Sequence, residues 1–348
     1  MPIYNYGKNI DKLITSSIHV VTGLVNYYID NHHKEVMKET GGVVHIRPSP
    51  LYNAYYKKTF MLVATKDNID EFARVLSQLF INKTPQKELI QTSKIETRSI
   101  KISLYLGIPA TIVCLYRVID YIMNKRHINF TNSMIITQYN NIFDSWSKDT
   151  YPSLMEHDNF PNVDYKVDFT EAFNTIYLKA RHLLSGQCFV LAHEYGHALL
   201  ALKHASFKAE YFRKAKNAFA KWAAGGDQIE SANLKKYYIN KYNSNRDNWI
   251  EELAADIIAY EICQNIIEDE TFAIEGVVIT FFLQLLIETY YDLSNQEIPD
   301  SHPYSSSRLL ALNHYVDSAT HNQNNILIES YLAAKRMIET YKMEMRQN

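Results

Sequence analysis

The sequence predicts an α+β fold, with a small sheet in the N-terminal half packed on a mostly helical C-terminal half. Three observations predict it. Ser99–Leu106 (SIKISLYL) alternates apolar and polar residues with the period of a half-buried strand. Val43–Arg47 and Thr59–Thr65 also look like strands, separated by a Pro- and Tyr-rich loop. From Thr170 onward apolar residues recur at helical spacing, with few interruptions, to the end of the chain. No linker forces a domain boundary; the change of pattern divides a mixed α/β region, 1–168, from a helical region, 169–348.

Element by element, residues 10–37 carry Leu13, Ile14, Val20, Val21, Leu24, Val25 and Tyr28 at helical spacing, and Gly41-Gly42 ends the run. Asp67–Phe80 reads as a helix with Phe72, Val75, Leu76 and Leu79 on one face. The stretch after Pro109 fits a buried strand or a helix. Ile135–Thr137 and Tyr165–Phe169 are candidates for further short strands. A helix from Thr170 to about Leu184 is followed by Ser185-Gly186, read as a break. The next helix runs from about Gln187 to His204. Ser206–Ala224 is amphipathic and basic, Gly225-Gly226 stops it, and Asp227–Asn248 is polar. Residues 206–246 thus read as a surface insertion or lid. Asp247 or Asn248 caps a helix at Trp249–Ile266. Thr271–Asp292 is an apolar helix, and helices at about 305–318 and 324–345 finish the chain.

Composition excludes several classes. The net charge of −2 gives no global field that selects nucleic acid, so no nucleic-acid partner is expected. Three scattered cysteines, Cys114, Cys188 and Cys263, argue against a disulfide scaffold and for a reducing, cytoplasmic setting; each reads as a small core residue. The N-terminus lacks the pattern of a signal peptide. The most apolar window, Gly276–Ile287, is shorter than the ~20 residues that span a bilayer, so no transmembrane segment is expected.

Chemistry concentrates in FVLAHEYGHALLAL, residues 189–202. His193 and His197 are i and i+4 on one helical face, so both imidazoles can reach one metal ion. Glu194 lies about 100° round the helix, beside the metal, where a general base is needed. Gly196 is poor for a helix interior and would let another segment approach closely. The competing reading is a core helix whose two histidines have polar partners.

A catalytic zinc needs a third protein ligand and one open position. Glu252 and Asp256 in EELAAD are i and i+4 on one face. Glu252 would bind the metal, and Asp256 would accept the free ring N–H of His193. Glu251, about 100° from Glu252 and with no acid four residues on, is the less favoured ligand. In SHPYSSSRLLAL, His302 and Tyr304 are candidates to hydrogen-bond the oxyanion of a tetrahedral intermediate, and Arg308 could pair with a carboxylate of the Asp256 helix. Alternatively Pro303 simply starts a helix and His302 lies at the surface.

The ordered pattern H-E-x-x-H, E-x-x-A-D, H-P-x-x-x-x-R, at His193/Glu194/His197, Glu252/Ala255/Asp256 and His302/Pro303/Arg308, resembles the gluzincin metallopeptidases. It is similar to soluble Lit-type phage-exclusion peptidases and to the CAAX-protease/HtpX group. The resemblance covers roughly 170–315. It implies a zincin-like fold, one catalytic Zn2+ held by His193, His197 and Glu252, Glu194 as base and Asp256 in support. Two departures stand out: the interval from His197 to Glu252 is longer than in Lit-type enzymes, and the transmembrane helices of the CAAX/HtpX group are absent.

The expected activity is therefore zinc-dependent endopeptidase cleavage of a protein or peptide, with a host protein in a phage-defence response as the substrate that the Lit likeness implies. The alternatives are a zinc enzyme such as a deformylase, a zinc-binding pseudo-peptidase, and a helical interaction protein without catalysis. The basic 206–246 segment is a candidate contact for a partner or regulator of acidic character.

Overall fold

The computed structural model describes residues 4–40, 44–47, 92–96, 99–105, 168–225, 231–293, 303–320 and 326–335, with the single positions 109, 112 and 119. The expected strand at 59–65, the expected helix at 67–80, the strand candidate at 135–137, Cys114 and His302 lie outside the described residues.

The described chain is helical, which corrects the α+β expectation. Helices α1 (Tyr4–His32) and α2 (Lys34–Thr40) precede the strands β1 (Val44–Arg47), β2 (Thr92–Glu96) and β3 (Ser99–Tyr105). There follow α3 (Asp168–Leu202), α4 (Ala205–Ala224), α5 (Ala232–Ser244), α6 (Arg246–Ile267), α7 (Glu270–Leu293) and α8 (Ser305–Thr320), then a helical stretch at 326–335. The strands pair as β1-β3-β2, with β1 parallel and β2 antiparallel to β3. They are short, and Ile102 of β3 is buried in the core. The alternation at 99–105 identified a strand correctly. It could not say that the core would be built by helices packing on helices.

The core is centred on α3, which packs against α1, α6 and α7. Phe189, Leu191, Ala192, Tyr195 and Leu199 on α3 are all shut off from solvent. α7 is apolar nearly all round, with Phe272, Ala273, Val277 and Ile279 buried, as a helix enclosed by others should be. No described helix is long and apolar enough to cross a membrane.

The break expected at Ser185-Gly186 does not occur; α3 runs unbroken from Asp168 to Leu202. Glycine serves close packing here. A Cβ on Gly186 would lie 2.8 Å from Ile279 Cγ2, and one on Gly276 would lie 2.7 Å from the Ser185 carbonyl oxygen. The two glycines let α3 and α7 touch backbone to side chain, and the packing outweighs the weak helix preference of glycine, about 1 kcal/mol.

The segment expected as an insertion is α4 and α5. α4 packs on α6 and α8 and buries Ala215, Ala218, Phe219 and Trp222. Glu261 of α6 ties it down, accepting from Tyr211 Oη at 2.5 Å and Lys214 Nζ at 2.9 Å, and from Tyr315 of α8. α5 starts at the N-cap Ser231, whose hydroxyl accepts from Leu234 N, and buries Tyr238 and Tyr242. α6 begins at Arg246, earlier than the Asp247 or Asn248 cap that the sequence suggested, and its N-cap Asn245 makes no side-chain capping bond.

Candidate metal centre

Helices α3 and α6 cross at Gly196. A Cβ there would lie 3.0 Å from the Cα and carbonyl oxygen of Ala255. Gly196 and Ala255 are thus the small residues that bring the two backbones together. His193 and His197 flank Gly196 on α3, and Glu252 and Asp256 flank Ala255 on α6, so the polar residues of the two helices face one another. The close approach anticipated for Gly196 is made by the helix that carries EELAAD.

His193 Nε2 and His197 Nε2 are 3.2 Å apart. Glu252 Oε2 is 3.5 Å from His193 Nε2, and Glu252 Oε1 is 3.5 Å from His197 Nε2. These three residues form a group whose ligand atoms all lie within 4.8 Å of one another and could hold a metal ion. The spacing can be tested against zinc. Four donors at tetrahedral zinc, with bonds of roughly 2.0–2.1 Å, sit about 3.3 Å from each other. The observed separations bracket that edge. Two imidazole nitrogens and a carboxylate are also a donor set that zinc accepts, with a fourth position open.

The outward nitrogens of the two rings meet carboxylates. His193 Nδ1 is 2.9 Å from Asp256 Oδ1, and His197 Nδ1 is 3.7 Å from Glu251 Oε1. Arg308, arriving from α8, donates to Asp256 through Nε at 2.8 Å and Nη2 at 2.6 Å. Its Nη1 lies 3.2 Å from Glu252 Oε2. The pairing of Arg308 with a carboxylate of the Asp256 helix is therefore made, and it reaches Glu252 as well.

Burial and charge act against each other throughout the cluster. Burial alone would raise the Glu252 carboxyl, but Arg308, His193 and His197 outweigh it and hold the group well below the usual carboxylate range. Asp256 is depressed in the same way, against its burial, chiefly by Arg308 and His193. Burial disfavours a charged His193, yet Asp256 and Glu252 raise it to about 10. Burial also opposes charge on Arg308, and Asp256 and Glu252 overcome it.

Of the other residues singled out in the sequence, Glu194 is buried on α3 at 6 % exposure. Tyr304 precedes α8, and its hydroxyl lies 2.9 Å from that of Tyr237 on α5. Its ring packs on Tyr238 at 4.9 Å between centroids. Desolvation and the Tyr237 hydroxyl push the Tyr304 phenol far up. Cys188 and Cys263 are buried in the core. One neighbour of the cluster departs from the sequence expectation: Glu251, the less favoured ligand because it lies off the Glu252 face, stands beside His197. Tyr237, the partner of Tyr304, has no signal in the sequence except the tyrosine-rich run around it.

No curated protein and no solved structure matches the chain. The IrrE N-terminal-like domain family matches residues 155–225. That span holds His193, Glu194 and His197 and ends before Glu252, Asp256 and Arg308. The family is zinc-metallopeptidase-like and also includes non-catalytic regulators; the match does not extend to the Lit or gluzincin subtype. Over the helix that presents both histidines, this chain is similar to a metallopeptidase-like domain, and the group of His193, His197 and Glu252 could hold a metal ion.

Proposed function

We propose that the protein is a zinc-dependent peptidase acting on a protein substrate. The observation that carries this reading is the triangle of His193 Nε2, His197 Nε2 and the Glu252 carboxylate, with edges of 3.2 to 3.5 Å. His193, His197 and Glu252 would hold the ion, the three protein ligands that a catalytic zinc needs. Bound zinc would lower the pKa of water and polarise the scissile carbonyl. Glu194, the next residue round the helix from His193, would act as the general base, taking a proton from water and passing it to the leaving amine.

The remaining residues prepare that chemistry. Asp256 keeps the proton of His193 on Nδ1, which turns the Nε2 lone pair inward. Arg308 lets Asp256 and Glu252 stay charged side by side in a buried place, where either alone would be costly. Tyr304 can serve an oxyanion if Tyr237 donates in the bond between the two hydroxyls, which leaves the Tyr304 proton to give. The likeness to Lit-type peptidases supports a host protein, cleaved during phage infection, as the substrate.

Metal analysis of the purified full chain tests the reading first, with about one zinc per chain expected. Glu194→Gln should retain that zinc and lose hydrolysis. Expressed beside the wild type, it identifies the substrate as the protein whose new N-termini arise with wild type alone. A wild-type protein that binds no zinc, or a Glu194→Gln variant of undiminished activity, would refute the proposal. The phage-defence substrate is tested separately: infected cells carrying the Glu194→Gln gene should lose any protection that the wild-type gene confers.

A further inference from the structure

We propose that Glu251 is a positioning residue for the second metal-binding histidine, His197, and that Lys208 holds it in place from α4. The inference rests on the peptidase reading above and adds to it a contact that runs from the basic helix to the metal centre.

The two histidines of the centre are used alike. Each turns Nε2 toward the other and toward Glu252. Each therefore leaves Nδ1 on the outer side, where a neutral ring must carry its proton if Nε2 is to offer a lone pair. A ring in that position needs an acceptor to fix its tautomer and orientation. His193 has Asp256, at 2.9 Å. His197 has Glu251, whose Oε1 stands 3.7 Å from Nδ1. The other oxygen of Glu251 faces Lys208 Nζ at 3.8 Å, and Lys208 in turn lies over the Phe212 ring at 5.1 Å. The carboxylate is thus suspended between an imidazole of the metal centre and an ammonium of α4.

The two supports differ in strength. Asp256 is buried and clamped by a bidentate arginine. Glu251 and Lys208 have side chains 42 % and 44 % exposed, so their pairing is screened by solvent and contributes little to stability. That contrast gives the proposal a distinctive signature. Loss of Glu251 should leave the fold intact and act on the metal.

Zinc affinity of the full-length protein is measured by competition with a chromophoric chelator, beside the thermal midpoint of the zinc-free protein. Outer-sphere partners of zinc-bound histidines are typically worth about 10- to 100-fold in affinity. At the longer distance seen here, Glu251→Ala should weaken zinc binding by about tenfold. Its zinc-free thermal midpoint should stay at the wild-type value. Glu251→Gln, which keeps an acceptor oxygen facing Nδ1, should recover most of the loss. Lys208→Ala should weaken binding a few-fold alone and add nothing in the Glu251→Ala background, because the lysine acts only through Glu251.

Wild-type affinity in Glu251→Ala would overturn the proposal and leave the peptidase reading standing. So would a Glu251→Gln variant as weak as Glu251→Ala, or a Lys208→Ala effect that persists without Glu251. If the wild-type chain binds no zinc at all, the peptidase reading fails and this inference with it.

Discussion

Arg308 grips Asp256 through two separate hydrogen bonds, Nε to Oδ2 at 2.8 Å and Nη2 to Oδ1 at 2.6 Å. Both side chains are almost wholly shut off from solvent, at 3 % and 1 % exposure. A planar guanidinium matched to a carboxylate in this way is a strong, charge-assisted contact between α8 and α6. Because the third amino group reaches Glu252, the same arginine balances two buried acids.

Truncating it exposes that balance. Arg308→Met keeps much of the volume and removes the charge, leaving Asp256 and Glu252 without their common counter-ion. Breaking a buried pair from one side costs about 3–5 kcal/mol, and the urea midpoint of the zinc-free protein should fall accordingly. A midpoint within error of wild type would show that the two acids do not depend on Arg308.

The glycine contacts of α3 differ in tightness and should differ in tolerance. Alanine gains about 1 kcal/mol over glycine as a helix residue, whereas overpacking costs about 1–3 kcal/mol. At Gly276 the new Cβ would meet the Ser185 carbonyl oxygen at 2.7 Å and Phe189 Cβ at 2.9 Å, so the clash wins. At Gly196 the nearest atoms, on Ala255, are at 3.0 Å, and the two effects come closer to cancelling. Denaturation should therefore rank Gly276→Ala as the less stable variant. Gly196→Ala should show its larger effect on zinc affinity, since it moves α6 away from the histidines. The reverse ranking would contradict the crossing described for these helices.

Metal should stabilise the folded chain by mass action. At free zinc about a thousand times the dissociation constant, a single site contributes about 4 kcal/mol. The thermal midpoint should rise on adding zinc and return on adding chelator. Glu252→Ala should abolish most of the rise. An undiminished rise in that variant would place the ion elsewhere.

A pH effect is expected away from the metal centre. His33, between α1 and α2, is held down to about 4 from an ordinary 6.5, first by burial and then by Lys203. The unfolded chain binds the His33 proton below 6.5, and the folded chain takes it up only near 4. Stability from this residue is thus complete above 6.5 and is lost as pH falls through that window to about 4. The ring is half exposed, so the effect should be modest. Urea midpoints measured across the window should fall less steeply for His33→Gln than for wild type; parallel profiles would rule the effect out.

Much of the metal centre could be read locally. His193, Glu194 and His197 lie within five residues, and Glu252 and Asp256 are one turn apart, so helical geometry alone predicts which of them share a face. Gly196 was legible for the same reason, because a glycine inside an apolar helix asks for a close neighbour. Gly186 obeys that rule too. The sequence pattern marks it as a stop, because its partners, Ile279 and Ile112, lie far away along the chain.

What the sequence determined by itself is the set of candidate donors and the helices that carry them, since both follow from backbone periodicity over a few residues. What only the tertiary structure decided is which distant helices meet. Val44–Arg47 and Ser99–Tyr105 are strands, as their patterns indicated, but the core was claimed by α3 and the helices around it. The reach of Arg308 to two acids, and of Lys208 to Glu251, depends likewise on how α8 and α4 lie against α6. Those relations are set by side-chain packing and by the pairing that buried charge requires, and neither leaves a periodic trace in the chain.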